Sequence, residues 1–317
     1  MKKPIIILTG PTAVGKTKAS IELAKKIGGE IISADSMQVY KYMDIGSAKI
    51  RSEEMQGVPH YLIDELEPDE EFHVVRFQEM AKQAMEKIYA NGHIPIVVGG
   101  TGFYIQALLY DIDFTESNED SSYREELERL AKEKGAQYLH EELRKVDEKS
   151  AETIHANNVK RVIRALEFFK QTGQKISEHN ETERTKESPY DFCYFVLTDD
   201  RKLYDRINLR VDQMVQDGLL EEVQSLKERG YTKDMVSMQG LGYKEILDYL
   251  DGDCTLEETI YILKRDTRHF AKRQLTWFRR ERDVIWIDKS QYDHNEAKVV
   301  DMMITKIQER IPYICLK

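Results

Sequence analysis

The feature that most constrains this chain is an eight-residue run near its start, Gly10-Pro11-Thr12-Ala13-Val14-Gly15-Lys16-Thr17, which fits the pattern G-x-x-x-x-G-K-[ST]. Immediately before it, residues 4–9 form a β-branched apolar run suited to a buried parallel strand, and after it a helical pattern continues to Ile27. Strand, glycine-rich turn and helix in that order make an anion cradle. The glycines let consecutive backbone N–H groups turn inward and the helix N-terminus adds partial positive charge. Lys16 supplies a point charge, and the Thr17 hydroxyl can hold Mg²⁺. The spacing predicts a P-loop for a diphosphate or nucleotide such as ATP. The alternative, glycines that only make a tight turn, leaves Lys16 and Thr17 without a use.

Further short strands are expected over residues 30–33, 94–98, 192–197 and 284–287, with a helical stretch over 74–89. Strands alternating with helices predict an α/β fold, a P-loop NTPase-like and mostly parallel sheet flanked by helices, with ligands at the carboxyl ends of its strands. Between residues 115 and 190 strand signals vanish and the sequence becomes charged and helix-forming. The expected division is a P-loop catalytic core with C-terminal helices, residues 1–114 and 191–317, and a helical insertion, residues 115–190. Within the insertion, residues 158–171 put Val159, Val162, Ile163, Leu166 and Phe169 on one side and Lys160, Arg161 and Arg164 on the other. Residues 179–188 are polar enough to be a mobile linker.

A hydrophobic content of 41% with 33% charged residues describes a globular chain. No stretch approaches the roughly 20 apolar residues of a membrane span, and the start is too short in apolar residues for a signal peptide. A cytoplasmic protein with no membrane partner is expected. The three cysteines, Cys193, Cys254 and Cys315, have no paired spacing, which argues against a zinc site or a disulfide framework. A net charge of −10 weighs against nucleic acid as a partner, but charge is segregated along the chain. Residues 116–152 hold 12 acidic and 7 basic residues, whereas residues 264–282 hold 8 basic and 2 acidic. On a helical wheel Lys264, Arg265, Arg268, Lys272 and Arg279 share one face, a stripe suited to phosphate contacts unless it is simply a solvated surface.

Two more strand ends carry candidate chemistry. Asp35, just past residues 30–33, should face the phosphate site as a general base or a magnesium ligand; a turn or helix-cap aspartate is the bland alternative. Val98-Gly99-Gly100-Thr101-Gly102-Phe103-Tyr104 is a small-residue loop where backbone can approach a ligand closely, or a plain turn.

Together these blocks resemble the tRNA dimethylallyltransferases (tRNA isopentenyltransferases). The match includes the P-loop, Ser33-Ala34-Asp35-Ser36-Met37-Gln38-Val39-Tyr40, Asp44-Ile45-Gly46-Ser47-Ala48-Lys49 and the loop at Thr101. It continues through Arg161-Val162-Ile163-Arg164-Ala165-Leu166-Glu167, Gly240-Leu241-Gly242-Tyr243-Lys244-Glu245 and Ala271-Lys272-Arg273-Gln274-Leu275-Thr276-Trp277-Phe278. The resemblance implies transfer of a dimethylallyl group from dimethylallyl diphosphate to N6 of adenosine 37, beside the anticodon of tRNA, with Mg²⁺ as cofactor. It implies that the P-loop holds the prenyl diphosphate and that Asp35 is the base, with Ser36, Met37 and Gln38 around the adenine. Thr101 and an arginine that reaches the diphosphate are implied as catalytic; the arginine matches Arg124, with Tyr123 at the simple count. Segments matching 160–164, Arg268, Lys272 and Gln274 are implied to touch tRNA. The expected partners are a tRNA anticodon loop and dimethylallyl diphosphate, the chain acting as a monomer. An adenylate isopentenyltransferase or a small-molecule P-loop kinase would share the front half of these motifs but would not need the two basic segments.

Overall fold

Ile5, Ile6, Ile7 and Leu8 have no exposed surface, because the strand that carries them is covered on both faces. This strand is at the middle of the sheet in the computed structural model, which describes residues 2–114, 122–199 and 202–316, with backbone alone for Arg184. The chain runs β1 (Lys3–Thr9), α1 (Lys16–Ile27), β2 (Gly29–Ala34), β3 (His60–Tyr61), α2 (Val74–Ala90), β4 (Ile94–Gly99) and α3 (Gly102–Leu109). Five helices follow, α4 (Ser122–Lys134), α5 (Ala136–Val146), α6 (Glu148–Thr153), α7 (Val159–Thr172) and α8 (Ile176–Thr185). The sheet then resumes with β5 (Tyr190–Thr198), α9 (Leu203–Gln216), α10 (Leu219–Glu228), α11 (Tyr243–Leu250), α12 (Leu256–Phe278), β6 (Val284–Asp288) and α13 (Glu296–Arg310).

The six strands lie in the order β3-β2-β4-β1-β5-β6, every neighbouring pair parallel. All five expected strands are present. β3 was not expected, since two residues are too few to carry a period. Side chains alternate across the sheet, so Ile6 and Leu8 pack with α1 and α13, through Leu23, Ile27, Val299 and Met303. Helices α2 and α3 pack together and share an aromatic cluster in which Phe77 stacks on Tyr104 at 4.7 Å and Phe72 meets both edge-on. Gly28, left-handed at φ 63, ends α1 by donating its N–H to the Ala24 carbonyl. That stop lets the chain turn straight into β2.

Two compact units emerge, residues Met1–Leu109 with Pro189–Lys317, and residues Tyr110–Ser188. The second has its own small core, in which Leu127, Leu139, Leu143, Val162, Ile163 and Leu166 meet. The start of the acidic stretch, 116–121, lies outside the described residues. The expected linker at 179–188 is instead helical as far as Thr185. Buried Asp147 secures it: its carboxylate accepts from the Ser177 amide at 2.9 Å and hydroxyl at 2.7 Å, and from Ser150 on α6. Polarity misled here, because the segment is held by hydrogen bonds near its start and not by an apolar stripe. No helix among the described residues is long and apolar enough to cross a membrane.

Candidate active site

Strands β1, β2 and β4 end in register, Thr9 and Ala34 both beside Gly99, so the segments that follow them share one edge of the sheet. The Thr9 hydroxyl donates to the Gly99 carbonyl at 2.6 Å and joins two of these ends. After β1 the loop turns through Gly10 (φ 147), Ala13 (φ 63) and Gly15 (φ 94). A side chain at Gly10 would strike the Leu197 carbonyl at 2.4 Å, so glycine is required there. Ala13 sits in the left-handed region at a cost of about 1 kcal/mol. Strain of this kind persists only where the surroundings over-determine the backbone. Val14 is fully buried and anchors the loop, while Pro11 and Thr12 lie along its near side.

Lys16 opens α1 and folds its ammonium back into the loop, donating to the Gly10 carbonyl at 3.0 Å and the Pro11 carbonyl at 2.9 Å. Burial, then the charge of Arg210, lower its pKa to about 8, while Asp35 pulls the other way. Arg210 on α9 is itself lowered by burial and raised by Asp35. Lys16, Arg210 and Asp35 thus act on one another's charge. Arg210 belongs to no recognised motif, and motif reading passes it over. Its signal was its place on α9, three residues after Ile207 and next to Val211, both buried; an arginine beside an apolar stripe needs an anion.

Asp35 makes the turn that the sequence offered as the alternative. Its Oδ1 closes a turn by accepting from the Met37 amide at 2.8 Å, and its Oδ2 accepts no hydrogen bond from the described residues. Gln38 is committed within the protein: its Oε1 accepts from the Ser33 hydroxyl at 3.0 Å and its Nε2 donates to the Ala48 carbonyl at 3.3 Å. Ser36 and Met37 are half-buried beside it, and Met37 packs so close to Gly240 that a Cβ there would lie 2.5 Å from its methyl.

After β4, Thr101 caps α3, its carbonyl accepting from Tyr104 and Ile105 and its amide donating to Ala34. The surrounding glycines serve the protein's own packing. A Cβ at Gly99 would meet the Ala34 carbonyl at 2.2 Å, at Gly100 the Gln274 Nε2 at 2.2 Å, and at Gly102 the Trp277 ring at 2.2 Å. The close approach expected of a ligand is made by α12. Gln274 is buried, with its Oε1 accepting from the Thr12 amide at 2.9 Å and its Nε2 donating to the Gly100 carbonyl at 3.0 Å. Its side chain is therefore turned inward, not out to RNA.

The basic face of α12 also differs from the wheel. Lys264 pairs with Asp212 at 2.6 Å, Arg265 with Asp266 at 2.8 Å, and Arg268 donates to Asn208 at 2.6 Å. Lys264 and Arg268 thus tie α12 to α9, while the Arg265 pair lies within α12. Lys272, Arg273, Arg279 and Arg280 are open, and all but Arg279 line, with His269, Thr276 and Trp277, a cavity of about 370 Å³. In the helical unit, Lys160 and Arg161 are exposed and Arg164 is half-buried, whereas Val162 and Ile163 face the core; only the three cations of this turn reach solvent. Arg124 forms a bidentate pair with Glu167 at 2.9 and 2.7 Å, and Tyr123 lies under the Lys170 ammonium at 5.6 Å.

No cluster of three or more His, Cys, Asp or Glu that could hold a metal occurs among the described residues. Mg²⁺ in diphosphate sites needs only one or two protein oxygens, the rest coming from the ligand and water. The exposed Thr17 hydroxyl at the head of α1 fits that donor set.

The model of a family described as IPP transferase matches residues 38–281. A tRNA dimethylallyltransferase from Lachnoclostridium phytofermentans is 62% identical over 97% of this chain and 98% of its own length. The full-length tRNA isopentenylpyrophosphate transferase of Bacillus halodurans has a TM-score of 0.72 at 47% identity, covering 98% of each chain. A eukaryotic dimethylallyltransferase described as acting on tRNA reaches a TM-score of 0.84 at 32% identity over 97% of this chain and 80% of its own. Joined by sequence to the family model across most of its length and by backbone to solved members, this chain belongs to the IPP transferase family.

Proposed function

We propose that this chain is a tRNA dimethylallyltransferase, moving a dimethylallyl group from dimethylallyl diphosphate to N6 of adenosine 37, just 3′ of a tRNA anticodon. The observation that carries the reading is that the segments bearing Asp35 and Thr101 leave the sheet at the same edge as the P-loop, whose Lys16 is folded into it, with Lys16, Arg210 and Asp35 acting on one another's charge. Such a set suits a reaction that needs a base on one side and a stabilised anionic leaving group on the other. N6 attacks the allylic C1, the C1–O bond breaks with its electron pair leaving on diphosphate, and the N6 proton passes to Asp35 Oδ2. General-base help of this kind is worth about 10²–10⁴-fold. Lys16, Arg210 and the P-loop amides stabilise charge as it develops on the leaving oxygen. Mg²⁺, held by Thr17 and the diphosphate, would supply further charge neutralisation when bound.

Thr101, at the head of α3 beside the P-loop, is suited to position the reacting groups. Lys160, Arg161 and Arg164 on one unit and Lys272, Arg273 and Arg280 on the other are the surfaces that suit RNA phosphates, in a protein whose net charge of −10 repels RNA elsewhere. The test is incubation with dimethylallyl diphosphate, Mg²⁺ and unmodified tRNA, then mass analysis of the nucleosides. N6-dimethylallyladenosine at position 37 is expected. Transfer to free AMP in preference to tRNA, or tRNA-stimulated ATP hydrolysis, would overturn the reading.

A further inference from the structure

The inner face of α12 reaches the active-site loops through the Gln274 side chain. Gln274 lies 262 residues from Thr12 and 174 from Gly100, yet bonds the backbone of both. The two bonds fix the amide's orientation without ambiguity, since a backbone N–H can only donate and a backbone carbonyl only accept. The surroundings leave it no second position: Gly100 has no Cβ to obstruct its Nε2, and neighbouring Ala271 and Phe278 are fully buried. Thr12 belongs to the cradle for the leaving group, and Gly100 immediately precedes Thr101.

We propose that Gln274 is a positioning residue that locks the P-loop to the Thr101 loop and so sets the distance between the leaving diphosphate and the groups that address the acceptor base. The proposal rests on the prenyl-transfer reading for its kinetic consequence, though not for the clasp itself. Reaction rates depend far more steeply on such distances than binding does, because a loop displaced by about 1 Å still binds but no longer aligns the reacting atoms. Loss of the clasp should therefore lower the chemical step while sparing affinity for either substrate.

Two variants and three readouts test this. Gln274→Met keeps length and packing but makes neither bond. Under single-turnover conditions with both substrates saturating, its rate should fall at least about tenfold, with dissociation constants for tRNA and dimethylallyl diphosphate within about threefold of wild type. In Gln274→Glu the carboxylate still accepts from Thr12, but only the protonated acid can donate to Gly100. Its rate relative to wild type at the same pH should therefore recover as pH falls. Thirdly, hydrogen exchange at the Thr12 amide should quicken in Gln274→Met whether or not any prenyl substrate is present.

A wild-type rate in Gln274→Met overturns the proposal, as does a pH-independent ratio for Gln274→Glu. Loss of tRNA affinity with a normal saturated rate would make Gln274 an RNA contact instead. If wild type makes no prenylated tRNA while Thr12 exchange still quickens in Gln274→Met, the functional reading fails and the clasp stands.

Discussion

Asp35 shows how one side chain holds two duties on two oxygens. Oδ1 is spent on the Met37 amide and aims the carboxylate; in the proposed reaction Oδ2 would take the proton. Asp35→Asn preserves the turn, since the amide oxygen still accepts, but cannot take a proton. Its single-turnover rate should drop by about 10²-fold or more with tRNA affinity within a few-fold of wild type, and an undiminished rate would remove Asp35 as the base. Lys16 adds a pH signature. Burial and Arg210 bring its pKa to about 8 in the folded protein, so charging it costs stability, and that cost disappears as pH rises through about 8. A bound anion restores the charge, so binding takes up a proton above that pH. Calorimetric titration with inorganic diphosphate should show wild-type affinity falling relative to Lys16→Arg from about pH 8, well below the ordinary lysine value of about 10.4. A ratio that stays flat to pH 10 would show the ammonium is not perturbed.

At the scale of elements, one helix does different work on its two faces. The outer face of α12 carries the open cations Lys272 and Arg273 and its inner face the Gln274 bonds, so spacing along one helix separates a basic surface from the contact with Thr12 and Gly100. Arg273→Ala should reduce the slope of log tRNA affinity against log salt by about 0.7–0.9 for a single lost phosphate contact. Arg268→Ala, which loses its bond to Asn208, should leave that slope unchanged and lower the melting temperature; equal slopes in the two variants would contradict this division. Helices α10 and α11 secure the Asp44-Ile45-Gly46-Ser47 loop behind Gln38. Glu222 accepts from the amides of Asp44, Ile45 and Gly46 at 2.9, 2.7 and 3.0 Å, and from the Tyr243 hydroxyl at 2.8 Å. A Cβ at Gly46 would lie 2.6 Å from the Tyr243 ring. Gly46→Ala should cost about 1–3 kcal/mol in denaturant unfolding, and unchanged stability would mean the tyrosine yields easily.

Across the whole molecule, stability and chemistry are held at opposite ends of the same strands. At the start of β2, Glu30 is buried, which pushes its carboxyl up, but hydrogen bonds from Tyr61, His93 and Asn91 outweigh this and hold it below its ordinary value. A lowered carboxyl stabilises the fold above its unfolded pKa, and that contribution is lost as pH falls through the folded one. Thermal melts of wild type and Glu30→Gln should therefore differ at neutral pH and converge as the pH drops below about 4; a constant gap would place the effect in packing instead. Five of the six strands, their parallel sense and the P-loop were legible in residues alone, because a buried parallel strand and a phosphate loop are local patterns, written in β-branched runs and glycine spacing; the strand order was not, since β4 and not β2 neighbours β1. Asp35 was legible as a candidate for the same reason, standing at the end of such a run. What the residues alone did not reveal is which side chains of a helix point outward and what lies opposite them. Gln274 read as an RNA contact and Arg268 as an open cation until the packing of α12 turned one inward and gave the other Asn208. Arg210 went unnoticed, and the glycines after β4 read as room for a ligand. Each of these depends on partners tens to hundreds of residues away in the chain, and only the tertiary fold chooses such partners.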